Sequence, residues 1–205
     1  MASTSRTRKG TWTGVFPAIT THMHKDGSLD LDATARHTEV LIKSGISGLV
    51  YLGSLGENQT LTSEEKRLVM KEMVGVVNGR IPVVSGVAES ATAEACRYVK
   101  DCEKLGVDGY MLMPAMNYKT PDPEESMTHL RTVAKSTGLP IMIYNNPISY
   151  GNDITPEMFA KLADVKNFTS LKESSGNTRR ITDLRNTVGD RYSIFTGVDD
   201  LALES

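Results

Sequence analysis

The 205-residue sequence has little of what marks several large functional classes. It contains no run of about 18 apolar residues, so no helix long enough to cross a membrane is expected. Its first residues, MASTSRTRKG, lack the apolar stretch of a secretory signal. Lys plus Arg number 23 against 25 Asp plus Glu, which leaves no basic excess to hold a nucleic-acid backbone. Only two cysteines occur, Cys96 and Cys102, and their spacing fits neither a metal knuckle nor a redox pair; both are expected to be packing residues. His22 and His24 form a lone H-x-H with no further ligand nearby in sequence, which reads as a solvated loop rather than a metal site. The expectation is a cytoplasmic globular protein with no nucleic-acid partner, no membrane partner and no metal.

What the sequence does contain is repetition. Apolar, β-rich runs recur as GVFPAI (14–19), GLVYLG (48–53), IPVVSGV (81–87), GYMLMP (109–114), PIMIYN (140–145), FTSLK (168–172) and YSIFTG (192–197). They are almost continuously apolar rather than alternating, which suits parallel strands buried on both faces. Between them lie helical segments with readable ends. Thr62-Ser63-Glu64-Glu65 is a capping-box pattern, opening a helix expected to turn Leu68, Met73 and Val76 inward and to stop near Gly79. Thr155-Pro156-Glu157 supplies a cap, a first-turn proline and an acid on the helix dipole. Gly45, Gly106 and Gly138 stand where helices should end.

Strand ends spaced by roughly 25–35 residues match one βα unit each. Near-equal spacing favours a barrel over a doubly wound open sheet, since every unit then does the same job. The expected class is therefore α/β: a (β/α)8 TIM barrel truncated after about the seventh strand. Residues 1–12 are read as a flexible N-terminal arm and 13–205 as a barrel domain incomplete at the C-terminus.

In a barrel the active face is built from the C-terminal strand ends and the loops after them. The residues there are Thr20 and Thr21, Gly53 to Glu57, Met113 to Tyr118, Tyr144 to Pro147, Lys172, and Gly197 to Asp200. A lysine in the barrel mouth, partly removed from water, offers a nucleophilic amine that can form a Schiff base with a ketone. A plainer reading of Lys172 is a side chain reaching solvent or pairing with Glu173. Tyr144 ends the preceding strand and, within reach, could relay protons; alone it reads as a core aromatic. Gly53-Ser54-Leu55-Gly56 turns from a strand toward a helix, either as a plain tight turn or as a cradle of amides for a carboxylate. It is no dinucleotide or triphosphate fingerprint.

Together, GSLGE, YNNP, LKESSG and TGVDD, in this order and spacing, resemble the dihydrodipicolinate synthase / N-acetylneuraminate lyase family over Gly14 to Ser205. The resemblance implies a barrel, a homotetramer, and a lysine that forms a Schiff base with pyruvate or another 2-keto acid without metal or organic cofactor. It places Lys172 on the Schiff-base lysine and Tyr144 on the proton-relaying tyrosine. Ser54 and Leu55 fall on the residues that hold the keto-acid carboxylate, with Leu55 departing from the usual hydroxyl.

Ser149 stands where the lysine-biosynthetic synthases carry an arginine for the second substrate, and Ala115 and Met116 where they carry paired tyrosines. Gly197, Asp199 and Asp200 match positions that bind sugar hydroxyls in the neuraminate lyases, or else the two aspartates cap a helix beginning at Leu201. The expected function is a lyase acting on a 2-keto acid by aldol cleavage, dehydration or deamination of a pyruvate-type or 2-keto-3-deoxy sugar-acid substrate. That ranks above 4-hydroxy-tetrahydrodipicolinate synthesis. The alternative is a catalytically inactive truncated barrel that binds a ligand or a partner subunit.

Overall fold

A computed structural model describes residues 12–114 and 122–205. Among them six strands form one parallel sheet in chain order: β1 (Leu49–Tyr51), β2 (Val83–Val87), β3 (Gly109–Leu112), β4 (Ile141–Asn145), β5 (Phe168–Glu173) and β6 (Ser193–Thr196). The helices are α1 (Leu31–Lys43), α2 (Ser63–Val77), α3 (Thr92–Leu105), α4 (Pro123–Ala134), the single turn α5 (Pro147–Tyr150), α6 (Pro156–Lys161) and α7 (Arg179–Val188). A doubly wound sheet reverses its strand order at a switch point; this order never reverses, as in a barrel. The architecture is a truncated TIM-barrel-like α/β sheet with its helices outside.

Strand side chains alternate between two apolar layers, which is why the runs look continuously hydrophobic in sequence. Leu49, Tyr51, Val83, Tyr110, Ile141, Ile143, Phe168 and Leu171 pack outward against helix residues such as Val69, Met73, Tyr98, Leu130 and Phe159. Val50, Val84, Met111, Met142 and Tyr144 face the barrel interior with Ala88 and Met113. Trp12, the last residue of the expected arm, joins this inner layer and is 8% exposed. Gly109 makes room for it: a Cβ there would stand 2.5 Å from the indole.

Six of the seven expected strands form; the first does not. GVFPAI contributes a single parallel bridge, Ala18 to Val50, with Ile19 N–H on the Val50 carbonyl and Val50 N–H on the Pro17 carbonyl, both at 3.0 Å. Pro17 has no N–H to extend this ladder. In α2 the capping box forms between Thr62 and Glu65, but Leu68 faces solvent rather than the core. The buried stripe is Lys66, Val69, Met70, Met73 and Val77, and its three- and four-residue steps leave position 68 on another face. Asn78 in the left-handed conformation, one residue before Gly79, ends the helix. Gly45 and Gly106 take positive φ as expected, whereas Gly138 does not.

Thr155 accepts from the Met158 N–H at the start of α6. Cys102 is fully buried in the helix–sheet layer, and burial pushes its thiol up to about 11. The His22 loop is not simply solvated: its Nε2 lies 3.1 Å from Nδ1 of His37 on α1, a ring-to-ring hydrogen bond. No helix of the described residues is long and apolar enough to cross a membrane, and no three His, Cys, Asp or Glu side chains among them cluster as metal ligands would.

Candidate active site

The parallel register sets Tyr144 of β4 beside Lys172 of β5, and Lys172 beside Phe195 of β6. Lys172 Nζ lies over the Tyr144 ring, 4.9 Å from its centroid. Strand alternation rules out one plainer reading, the pairing of Lys172 with Glu173, whereas Tyr144 is also the buried core aromatic with a bonded hydroxyl that it would be on its own. Lys172 and Glu173 are consecutive in β5 and point to opposite sides of the sheet. Lys172 is half-buried in the barrel mouth.

Glu173 is 4% exposed and engaged elsewhere. Its Oε1 accepts from the Ser175 N–H at 2.7 Å and its Oε2 from Asn145 Nδ2 at 3.0 Å. Asn145 also donates to Asp153 at 3.1 Å and accepts from the Ile154 N–H at 2.8 Å, while Arg180 donates to Asp153 at 2.7 Å. This buried network ties the ends of β4 and β5 to each other and to the loop leading into α6. Sequence reasoning missed it, although Asn145, Glu173 and Ser175 sit inside the quoted YNNP and LKESSG stretches.

The chain after β4 serves the site twice. Asn146 Nδ2 donates to the Tyr144 hydroxyl at 2.9 Å, and Asn146 Oδ1 accepts from the Ser149 N–H at 3.0 Å, capping α5. The Tyr150 ring meets the Tyr144 ring edge-on with centroids 5.9 Å apart. The Tyr150 hydroxyl is hydrogen-bonded to Ser54 Oγ in the turn after β1. Burial pushes the Tyr150 phenol above its ordinary range, opposed by the Ser54 hydrogen bond.

The turn itself is held from inside: Gly56 N–H donates to the Gly53 carbonyl and Glu57 N–H to the Ser54 carbonyl, both at 3.1 Å. Thr21 Oγ1 reaches the Gly56 carbonyl at 2.7 Å, and buried Asn58 donates to the Leu52 carbonyl at 2.9 Å. Thr20, by contrast, is exposed.

Gly197 follows β6 and lies flush against the lysine: a Cβ there would come within 2.7 Å of Lys172 Cε and 1.9 Å of Ser174 Oγ. The structure thus gathers Lys172, Tyr144 and Gly197 directly, and Ser54 through Tyr150. Leu55 and Ser149 sit exposed on the rim, Ser149 using its N–H for the α5 cap. Asp199 and Asp200 are exposed as well. They lie within a short 3-10 turn, Asp199–Leu201, whose N-cap is Val198, and no side chain caps it; the expected aspartate cap is not formed. Ala115, Met116 and Tyr118 fall outside the described residues, while Met113 belongs to the inner layer. An amine facing a phenol at the C-terminal end of a partial barrel is a layout for carbonyl chemistry.

Known proteins share the whole of this arrangement's scaffold. The model of the dihydrodipicolinate synthetase family matches residues 11–205. A 4-hydroxy-tetrahydrodipicolinate synthase from Methanothrix thermoacetophila is 36% identical over 191 residues, covering 93% of this chain and 64% of that protein. The chain therefore spans just under two thirds of the curated relative's length. The crystal structure of a putative dihydrodipicolinate synthetase from Pseudomonas aeruginosa superposes with a TM-score of 0.90 at 33% identity, covering 95% of this chain and 67% of that one. A prophage protein of the dihydrodipicolinic acid synthase family from E. coli K12, in complex with pyruvate, gives 0.89 at 29% identity, covering 94% and 65%. Strand order, quoted motifs and family model coincide over the same residues, and the chain belongs to the dihydrodipicolinate synthetase family.

Proposed function

We propose that the protein is a lyase that forms a Schiff base between Lys172 Nζ and the ketone of a pyruvate-type 2-keto acid. The observation that carries this reading is the lysine amine standing over the Tyr144 ring at the barrel mouth. Neutral Nζ attacks the keto carbon; the carbonyl oxygen takes two protons, one given up by the amine and one supplied by an acid, and leaves as water, so that the nitrogen, keeping one hydrogen, becomes part of a cationic imine. That cation accepts the electron pair released when a bond next to the former carbonyl breaks, so the step draws on no group beyond chain and substrate. Tyr144, whose hydroxyl accepts from Asn146, passes the protons that these steps exchange. The turn at Ser54 and Leu55 supplies the keto-acid carboxylate with backbone N–H groups and the Ser54 hydroxyl; Leu55 needs only its backbone for this.

The second reactant divides two readings. Exposed Ser149 brings no cation for a dicarboxylic partner, which favours cleavage, dehydration or deamination of a hydroxylated keto acid, with Gly197, Asp199 and Asp200 facing its hydroxyls. The names of relatives such as that of M. thermoacetophila support 4-hydroxy-tetrahydrodipicolinate synthesis instead. A cytoplasmic homotetramer is part of the same proposal, on family likeness alone, and sedimentation velocity tests the assembly.

Pyruvate and borohydride, followed by intact-mass measurement, test the central step. The expected result is one reduced pyruvate adduct, lost in Lys172→Ala. No adduct, or one that persists in Lys172→Ala, ends the Schiff-base reading in favour of a binding protein without turnover. Consumption of pyruvate with aspartate semialdehyde, compared with release of pyruvate from 2-keto-3-deoxy sugar acids, then separates the two substrate readings.

A further inference from the structure

Tyr150 has no part in the imine step, yet it bridges two loops that lie far apart in sequence. Its hydroxyl reaches Ser54, 96 residues away, and so joins the loop after β4 to the turn after β1 across the barrel mouth. Its backbone is fixed on both sides. Tyr150 N–H donates to the Asn146 carbonyl at 3.0 Å, and Gly151 N–H to the Pro147 carbonyl at 2.9 Å, with Gly151 left-handed at φ +73° ending the turn. Asn146 is also the residue that holds the Tyr144 hydroxyl, and the two tyrosine rings meet edge to face. One short helical turn thus sets the relative positions of Tyr144, Tyr150 and Ser54.

Among the described residues, Tyr150 is the side chain that orients the Ser54 hydroxyl. Ser54 is exposed, the hydrogen bonds that hold its turn do not engage its Oγ, and a free serine hydroxyl samples several rotamers. Of the two hydroxyls the phenol is the stronger acid and hence the better donor, with Ser54 Oγ the better acceptor. That leaves the Ser54 O–H to point at a ligand.

We infer that Tyr150 is a positioning residue of the carboxylate pocket, holding the Ser54 hydroxyl in the rotamer that donates to the carboxylate of a keto acid. The inference rests on the proposed keto-acid reading and identifies the residue that sets its carboxylate contact. Removing the phenol oxygen frees Ser54 without emptying the space filled by the ring, so Tyr150→Phe should resemble Ser54→Ala in ligand binding.

The test is a double-mutant cycle on pyruvate affinity, read by ligand-observed NMR in the Lys172→Ala background, where no imine can contribute. Tyr150→Phe and Ser54→Ala are each expected to weaken pyruvate about fivefold, the equivalent of one neutral hydrogen bond. The double variant is expected to be no weaker than the weaker single, because both changes remove one coupled contact. Ser54→Thr, which keeps the hydroxyl, should retain affinity, and thermal melts should show every variant folded. Unchanged affinity in Tyr150→Phe, additive losses in the cycle, or no pyruvate binding in the Lys172→Ala chain would overturn the inference. A wild-type chain that gives no borohydride adduct sinks the Lys172 reading alone, because the cycle is measured without that amine.

Discussion

Two residues at the barrel mouth test the chemistry separately from the fold. Tyr144→Phe keeps the ring under Lys172 and removes the oxygen that Asn146 holds. Turnover is expected to fall by about 10²–10⁴, the usual worth of a positioned proton-transfer group, while the melting temperature stays near wild type. Steady-state kinetics beside a thermal melt decide it, and an unaffected kcat removes Tyr144 from the mechanism. Gly197→Ala acts through geometry instead. The new methyl would overlap the Lys172 stem and the Ser174 hydroxyl, both of which can swing aside, so folding should suffer little. The amine would leave its place over Tyr144, and borohydride trapping should slow markedly. A rate equal to wild type would show that Lys172 does not depend on this contact.

At the scale of elements, two buried polar contacts tie helices to their neighbours. Lys66 on α2 pairs with Glu89 after β2 at 2.9 Å, with side chains 7% and 9% exposed. Lys66→Ala strands the carboxylate and should cost about 3–5 kcal/mol, whereas Lys66→Met with Glu89→Leu should recover most of it; urea unfolding of the three chains measures both. His129 on α4 is 5% exposed, and its Nδ1 lies 2.9 Å from Thr92 Oγ1 on α3. Burial pushes the imidazole below its ordinary range. The unfolded chain therefore binds this proton more readily than the folded one. Stability from His129 is fully present above the unfolded value of about 6.5 and declines as pH falls below it. Melting temperatures between pH 7.5 and 5 should drop less steeply in His129→Gln, and parallel curves would refute the assignment.

For the molecule as a whole, order should follow strand pairing. β2 to β5 each have partners on both sides and are almost wholly buried, while β6 pairs only with β5 among the described residues and is half-exposed. Hydrogen exchange by mass spectrometry should find β2 to β5 slowest, with β6 and residues 14–19 exchanging much faster. Comparable protection of β6 would mean that its outer edge is covered in solution. The open edge and the single bridge of residues 14–19 share a cause: each lacks a full ladder on one side, at Pro17 because the nitrogen carries no proton.

Much of this was legible in the residues alone. Apolar runs at βα spacing determined six strands and their parallel pairing, since buried parallel strands have few other ways to look. The Lys172–Tyr144 pair was legible too, because consecutive βα units place their strand ends side by side. What escaped were matters of phase and distance. Leu68 turned outward because the helix chose its face by a stripe running through Lys66, a residue whose charge hides it from any hydrophobic count until Glu89 is seen beside it. The Asn145–Glu173 network and the Tyr150–Ser54 bridge join groups 28 and 96 residues apart. Sequence decided which backbone segments would be strands and which residues would end them. Only the curved sheet decided which side chains meet, because contacts across a barrel mouth depend on curvature that no local pattern encodes.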